Sequence, residues 1–209
     1  MKKLFMTVLL CLPFAFSALA ENLVTNGTFD VPDADFGSES TETQWMGTGW
    51  TQWGGVFRQR WAARTAHAGG YFRGWSSGPD GGIYQNISNT GGQHTLAVWV
   101  RREPAFASLN SLEIKIEWMN ASTNWVDATT VVYYNSLPAD GLWHHIHVTA
   151  TGTDASIAFI RPVLYCNWAA VGGSLAFDDM ELYHGPYTGA PPRLVNRSVE
   201  FYPPNGLRG

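Results

Sequence analysis

The stretch Gly173-Ser174-Leu175-Ala176-Phe177-Asp178-Asp179-Met180-Glu181-Leu182-Tyr183 decides the fold once it is set beside Asn22-Leu23-Val24-Thr25-Asn26-Gly27-Thr28-Phe29-Asp30. The two read as the closing and opening strands of one sandwich, so the ends of the domain meet in space. Both carry carboxylates. A hard cation that takes oxygen ligands could tie such groups together.

Between these ends no segment keeps a helical period. Short alternating runs recur instead: Gly82–Ser88, Thr95–Arg102, Leu112–Met119, Thr129–Tyr134, Trp143–Thr149 and Ala155–Tyr165. Breakers separate them, including Asn89-Thr90-Gly91-Gly92, Leu137-Pro138-Ala139-Asp140-Gly141 and Gly172-Gly173. Alternation broken by turn residues is the pattern of an antiparallel sandwich or barrel. Residues 31–80 are looser, rich in Gly and Trp, and are expected to hold two or three strands with long loops.

Outside this unit lie a leader and a tail. Lys2 and Lys3 precede an apolar run from Leu4 to Phe16, and Ala18-Leu19-Ala20 is an A-x-A cleavage site. The run is shorter than the ~20 residues of a membrane span. Residues 1–20 are therefore expected to be a signal peptide, with the chain secreted, either extracellular or periplasmic. Cys166 alone survives cleavage, so no internal disulfide is expected and the core must hold the domain. Residues 21–184 suffice for one domain with one core. Residues 185–209 are rich in Pro and Gly, with alternation only over Leu194–Phe201, and read as a tail or linker.

The formal net charge is −4, and it becomes more negative when Lys2 and Lys3 leave. That argues against nucleic acid, which rewards concentrated positive charge. Charged residues make up only 14% of the chain and aromatics another 14%, with ten Trp. Aromatics dominate core energetics, yet ten Trp exceed what one sandwich needs, so some are expected to face solvent or ligand.

In order along the chain, the N-L-V-x-N-G-x-F-D opening is followed by Gly49-Trp50, Ala66-His67-Ala68-Gly69-Gly70-Tyr71 and Gly82-Ile83-Tyr84-Gln85-Asn86-Ile87. Thr95-Leu96-Ala97-Val98-Trp99-Val100-Arg101, Gly141-Leu142-Trp143 and Phe177-Asp178-Asp179 complete the series. This series resembles the galactose-binding-like jelly rolls found as carbohydrate-binding modules beside polysaccharide-degrading enzymes. The resemblance covers Asn22 to Tyr183. It implies an all-β, antiparallel jelly-roll sandwich, and it implies fold more firmly than ligand, because one scaffold hosts many functions.

The resemblance also implies a structural calcium joining the first strand, a Gly-containing hairpin and the last strand. By position it points to Thr28 and Asp30, a carbonyl near His67 or Gly69, and Asp178 or Asp179. Calcium wants six to eight oxygens, which carboxylates and carbonyls supply. Adjacent residues of a strand face opposite ways, so only one of Asp178 and Asp179 is expected to lead. His145 and His147 share one strand face and could ligate a transition metal. With no Cys or acid nearby in sequence, an outward-pointing pair is the better reading.

Alternation sends Leu96, Val98 and Val100 inward and leaves Trp99 and Arg101 outside. It likewise sends Ile114 and Ile116 inward and leaves Glu113, Lys115 and Glu117 outside. Over Ala155–Tyr165 two phases fit equally well, so the faces of Arg161 and Tyr165 stay open. In chain-binding relatives, the resemblance implies, strands corresponding to these three line one concave groove. Trp faces stack on the apolar side of a pyranose while planar charged groups pair with hydroxyls. Trp99, Arg101, Lys115, Glu117, Arg161 and Tyr165 are thus the candidate ligand residues, with the loop aromatics Trp50, Trp53, Trp75, Trp125 and Trp168 at the rim.

Catalytic motifs do not hold up. Gly74-Trp75-Ser76-Ser77-Gly78 matches G-x-S-x-G, but that chemistry needs a following helix, and Pro79-Asp80-Gly81-Gly82 precludes one. No strand carries the closely spaced acids of a jelly-roll glucanase, the nearest being Glu113 and Glu117 with Lys115 between. The expectation is a secreted, non-catalytic polysaccharide-binding module steadied by calcium. The alternative is a structural or adhesive protein using the sandwich for self-association or protein contacts, and a polysaccharide hydrolase or lyase is the less favoured third reading.

Overall fold

The computed structural model describes residues 21–31, 47–65, 67–75, 80–89, 91–133, 136–169 and 172–187. The expected signal peptide and all but the first three residues of the expected tail lie outside these. Eleven strands follow in order: β1 (Thr51–Gly54), β2 (Val56–Gln59), β3 (Gly69–Arg73), β4 (Asp80–Tyr84), β5 (Ile87–Ser88), β6 (Gly92–Arg102), β7 (Leu109–Asn120), β8 (Trp125–Tyr133), β9 (Trp143–Gly152), β10 (Ile157–Trp168) and β11 (Ser174–His184). All pairings are antiparallel. One sheet runs β1-β4-β10-β7-β8 with β5 also on β10, and the other runs β2-β3-β11-β6-β9. The expected β-sandwich is what forms.

The inward phase of each strand fills the space between the sheets. Leu96, Val98 and Val100 of β6, Ile114 and Ile116 of β7, and Leu175 and Phe177 of β11 share one buried cluster. Two arginines are buried at the ends of this interior. Arg102 donates to the carbonyls of Phe106, Leu137 and Ala107, which fastens two loops to β6. Arg58 Nη1 donates to the carbonyl of Phe29 at 2.9 Å. Buried guanidiniums are tolerated when carbonyls take their donors.

The opening segment is a turn, not the strand expected, yet it lies where expected. Leu23 N–H donates to Leu182 O, and Met180 N–H to Gly27 O at 2.9 Å. A Cβ on Gly27 would lie 2.0 Å from Met180 O, so glycine is what allows the approach. Phe29 sits at φ 56°, a conformation costing on the order of 1–3 kcal/mol outside glycine. Its ring is buried against Trp50 and edge-on to Phe177, at 5.2 and 5.3 Å between centroids, which offsets that cost.

Candidate functional site

On the outer face of the six-stranded sheet, β10 presents Arg161 opposite Glu117 and Tyr165 opposite Glu113, with Lys115 opposite Val163 between them. A register shift between Ile157 and Phe159 resolves the phase left open by alternation. The bulge lets both Ile157 and Ile160 be buried, and every second residue from Arg161 onward then faces out.

β4 and β1 complete the surface. Gly82 stands opposite Tyr165 on one side and Trp53 on the other. A Cβ at Gly82 would fall 2.2 Å from the Trp53 ring. The missing side chain leaves room for the indole to lie beside Tyr165, 6.2 Å between centroids and 14° from parallel. Tyr84 lies 6.1 Å from the same indole, and Trp53 is 38% exposed. Three aromatic rings thus form one platform.

Its charges are paired off. Lys115 Nζ is 2.8 Å from the Glu113 carboxylate, and Arg161 is 3.5 Å from Glu117. Arg161 Nε donates to Asn86 Oδ1 at 2.8 Å while its guanidinium covers the Tyr84 ring at 4.6 Å. Lys115 lies 5.2 Å from the centre of Tyr165. Such contacts fix both long side chains along the platform's edge.

Trp99 and Arg101 are not on this face. β6 belongs to the other sheet, so the expectation that three strands line one groove fails, and these two residues face away on the opposite side of the sandwich. Trp99 is half-buried under the Arg64 guanidinium, 3.8 Å from its ring, and beside His145 at 4.9 Å. Two rim candidates also move. Trp50 is buried on Phe29 and donates its Nε1 proton to Asn26 O. Trp168 is fully buried between Phe72 and Phe106. Both fill the core. Trp125 is 68% exposed at the start of edge strand β8.

Sequence reasoning missed Tyr84, Gly82 and Asn86. The alternation of Gly82-Ile83-Tyr84 about a buried Ile83 was the signal for Tyr84; nothing local marked the other two. His145 and His147 share a face as expected but are covered: Tyr187 stacks on His147 at 3.8 Å and its hydroxyl meets His145 Nδ1 at 3.1 Å.

The residues assigned to calcium gather at the clasp between the opening turn and β11. A bulge between Asp178 and Glu181 breaks alternation, with Asp179 at φ 51°. Both carboxylates therefore turn toward residues 64–65, where one was expected to lead. Asp178 accepts the N–H groups of Arg64 and Thr65 and that of Asp179. Asp179 pairs with Arg64 Nη1 at 2.7 Å and accepts the Thr65 hydroxyl. Asp30 accepts the N–H groups of His67 and Ala68 at 2.7 and 3.0 Å. Thr28 is exposed, and Gly69 is explained by backbone crowding, since a Cβ there would lie 2.2 Å from Ala62 O. Burial, and next the charge of Asp179, push the Asp178 carboxyl well up.

Carboxylate oxygens suit calcium, but here N–H donors and a guanidinium hold them, so this arrangement does not fit a shell of six to eight oxygens. Among the described residues no three His, Cys, Asp or Glu side chains gather as a metal cluster. The cation facing Asp179 is Arg64.

No family model matches the chain, and no curated protein matches it in sequence. Solved structures do match in fold. A family 16 carbohydrate-binding module is 15% identical with TM-score 0.51, over 78% of this chain and 100% of that one. TmCBM61, solved with beta-1,4-galactotriose, is 13% identical with TM-score 0.50, over 79% of this chain and 100% of that one. Against the enzymatically active domain of bacteriophage CBA120 tailspike protein 4, the chain is 14% identical with TM-score 0.49, over 78% of this chain but only 21% of that one. The chain has the β-sandwich fold of the carbohydrate-binding modules.

Proposed function

We propose that this chain is an exported, non-catalytic module that binds an uncharged polysaccharide on the outer face of its six-stranded sheet. The observation that carries the reading is the platform of Trp53, Tyr165 and Tyr84, opened by Gly82 and edged by ion pairs. Aromatic faces take the apolar side of successive sugar rings, and the paired Lys115, Glu113, Arg161 and Glu117 offer hydroxyl partners without a net charge to repel or attract. The fold shared with TmCBM61, which was solved with a neutral galactotriose, supports the same ligand class. A leader-like start over residues 1–20 supports export.

Catalysis is left out of the proposal for a physical reason. Glycoside hydrolysis needs two carboxyls, one able to give a proton. Glu113 and Glu117 are each engaged by a cation, with Lys115 standing between them on β7. Retention of the protein on insoluble xylan, galactan and mixed-linkage glucan, compared with Trp53→Ala, tests the proposal. Retention on at least one that falls about tenfold in the variant supports it. No retention on any, with concentration-dependent self-association in its place, would transfer the case to a structural or adhesive role.

A further inference from the structure

The outer face of the five-stranded sheet carries a second aromatic array that the platform above does not use. Phe57, Tyr71, Ala176, Arg101 and Trp143 follow one another across β2, β3, β11, β6 and β9 in a single register row. Phe57, Tyr71 and Ala176 are buried beneath the turn after β2, whose Ala62 packs with them, so the open part of this face is the indoles above Tyr71. Trp61, from the turn after β2, packs on Tyr71 at 4.6 Å, and Trp75 approaches the same ring at 6.5 Å. Both indoles keep open surface, 37% and 51% exposed. Exposed tryptophans gathered over a tyrosine at a sheet face are unusual on a surface with no partner.

The charge on this face differs from that on the first. Arg73 lies over Phe57 and Trp75, at 4.6 and 5.4 Å from the ring centres. Arg101 lies 5.1 Å from the Trp143 ring and 6.0 Å from that of Trp61. Among the described residues the one hydrogen bond of Arg101 goes to the Trp61 carbonyl at 3.1 Å, and its Nε has no partner. Burial lowers the pKa of Arg101, against an opposing pull from the charge of Glu103, whose carboxylate takes the Ser174 N–H. A half-buried cation held among aromatics, without a carboxylate in contact among the described residues, therefore lies beside Trp61 and Trp143.

We propose that this face is a second saccharide-binding surface, separate from the first, that takes acidic sugar residues. Trp61 and Trp75 would stack the ring faces of a uronate chain, and the planar guanidinium of Arg101 would pair with a sugar carboxylate. The proposal does not rest on the neutral-glycan reading, because it uses none of the same residues.

The test is calorimetric titration of the full chain with tetragalacturonate at about 50 and about 500 mM salt, since exposed ion pairing is screened over that range. Binding is expected at low salt, to weaken at high salt, and to fall about tenfold in Trp61→Ala and in Arg101→Gln, with Trp53→Ala unchanged. Trp61 sits in a surface turn, so its variant keeps the test sound even if Arg101→Gln unfolds. No binding of tetragalacturonate, binding indifferent to Trp61→Ala, or binding lost in Trp53→Ala would each overturn the proposal.

Discussion

The two outer faces of this sandwich share ingredients, tryptophan, tyrosine and arginine, and differ in how charge and cover are arranged over them. On the six-stranded side each cation meets an acid, and the rings lie side by side because Gly82 has no side chain. On the five-stranded side a loop folds over the sheet, pinned by Arg64 to the Asp178–Asp179 bulge, and Arg101 meets a carbonyl where the other face supplies carboxylates. The lesson is that aromatic content marks a surface as sticky, while the local pairing of charge selects what sticks.

The largest effect expected is on the pinned side. Arg64→Ala leaves Asp179 without its cation beside the buried Asp178 and should cost about 2–3 kcal/mol in urea unfolding. That sits below the 3–5 kcal/mol typical of a broken buried pair because these side chains keep some exposure. A chelator should leave the midpoint unmoved. Chelation that lowers the midpoint while Arg64→Ala does not would restore calcium to the clasp. Next in size is Gly82→Val, whose added atoms drive into Trp53. It should cost about 2 kcal/mol of affinity for a neutral chain while leaving the Trp61 face alone, measured by calorimetry on protein shown to melt cooperatively.

Much of this arrangement was legible in the order of residues, and the rest was hidden for identifiable reasons. Period-two alternation gave away the faces of β6 and β7 because each has one solvent side. It says nothing about which sheet a strand joins, so Trp99 and Arg101 were set beside Lys115 and Glu117 when a whole core separates them. Bulges hid two further facts, since one extra residue shifts the phase of everything beyond it. That left Arg161 and Tyr165 ambiguous and concealed that Asp178 and Asp179 face the same loop. Trp50 and Trp168 sit beside turn residues and look exposed, yet the contacts that bury them come from distant segments.

A smaller effect should separate the faces by pH. Burial lowers the pKa of His145, and the charges of His147 and Arg64 lower it further. A folded pKa below the unfolded ~6.5 means that the unfolded chain binds the proton better. Stability from this site is therefore complete above about pH 6.5 and declines as the pH falls toward the lowered value. His94 shifts the same way, chiefly through burial, so the informative quantity is the difference between the parent and His145→Gln. Between pH 8 and pH 5 the parent should lose more stability than the variant. Equal losses would contradict the lowered pKa of the half-buried His145. Smallest of all should be the response of neutral-glycan affinity to salt, which the paired charges of the first face hold to within about twofold.

The most direct test of the central claim is one calorimetric experiment, in which a soluble neutral oligosaccharide from the retained polysaccharide is titrated into Trp53→Ala and Trp61→Ala side by side. Affinity should collapse in Trp53→Ala and match the parent in Trp61→Ala. Parent-like affinity in Trp53→Ala, or loss in Trp61→Ala alone, would contradict that claim.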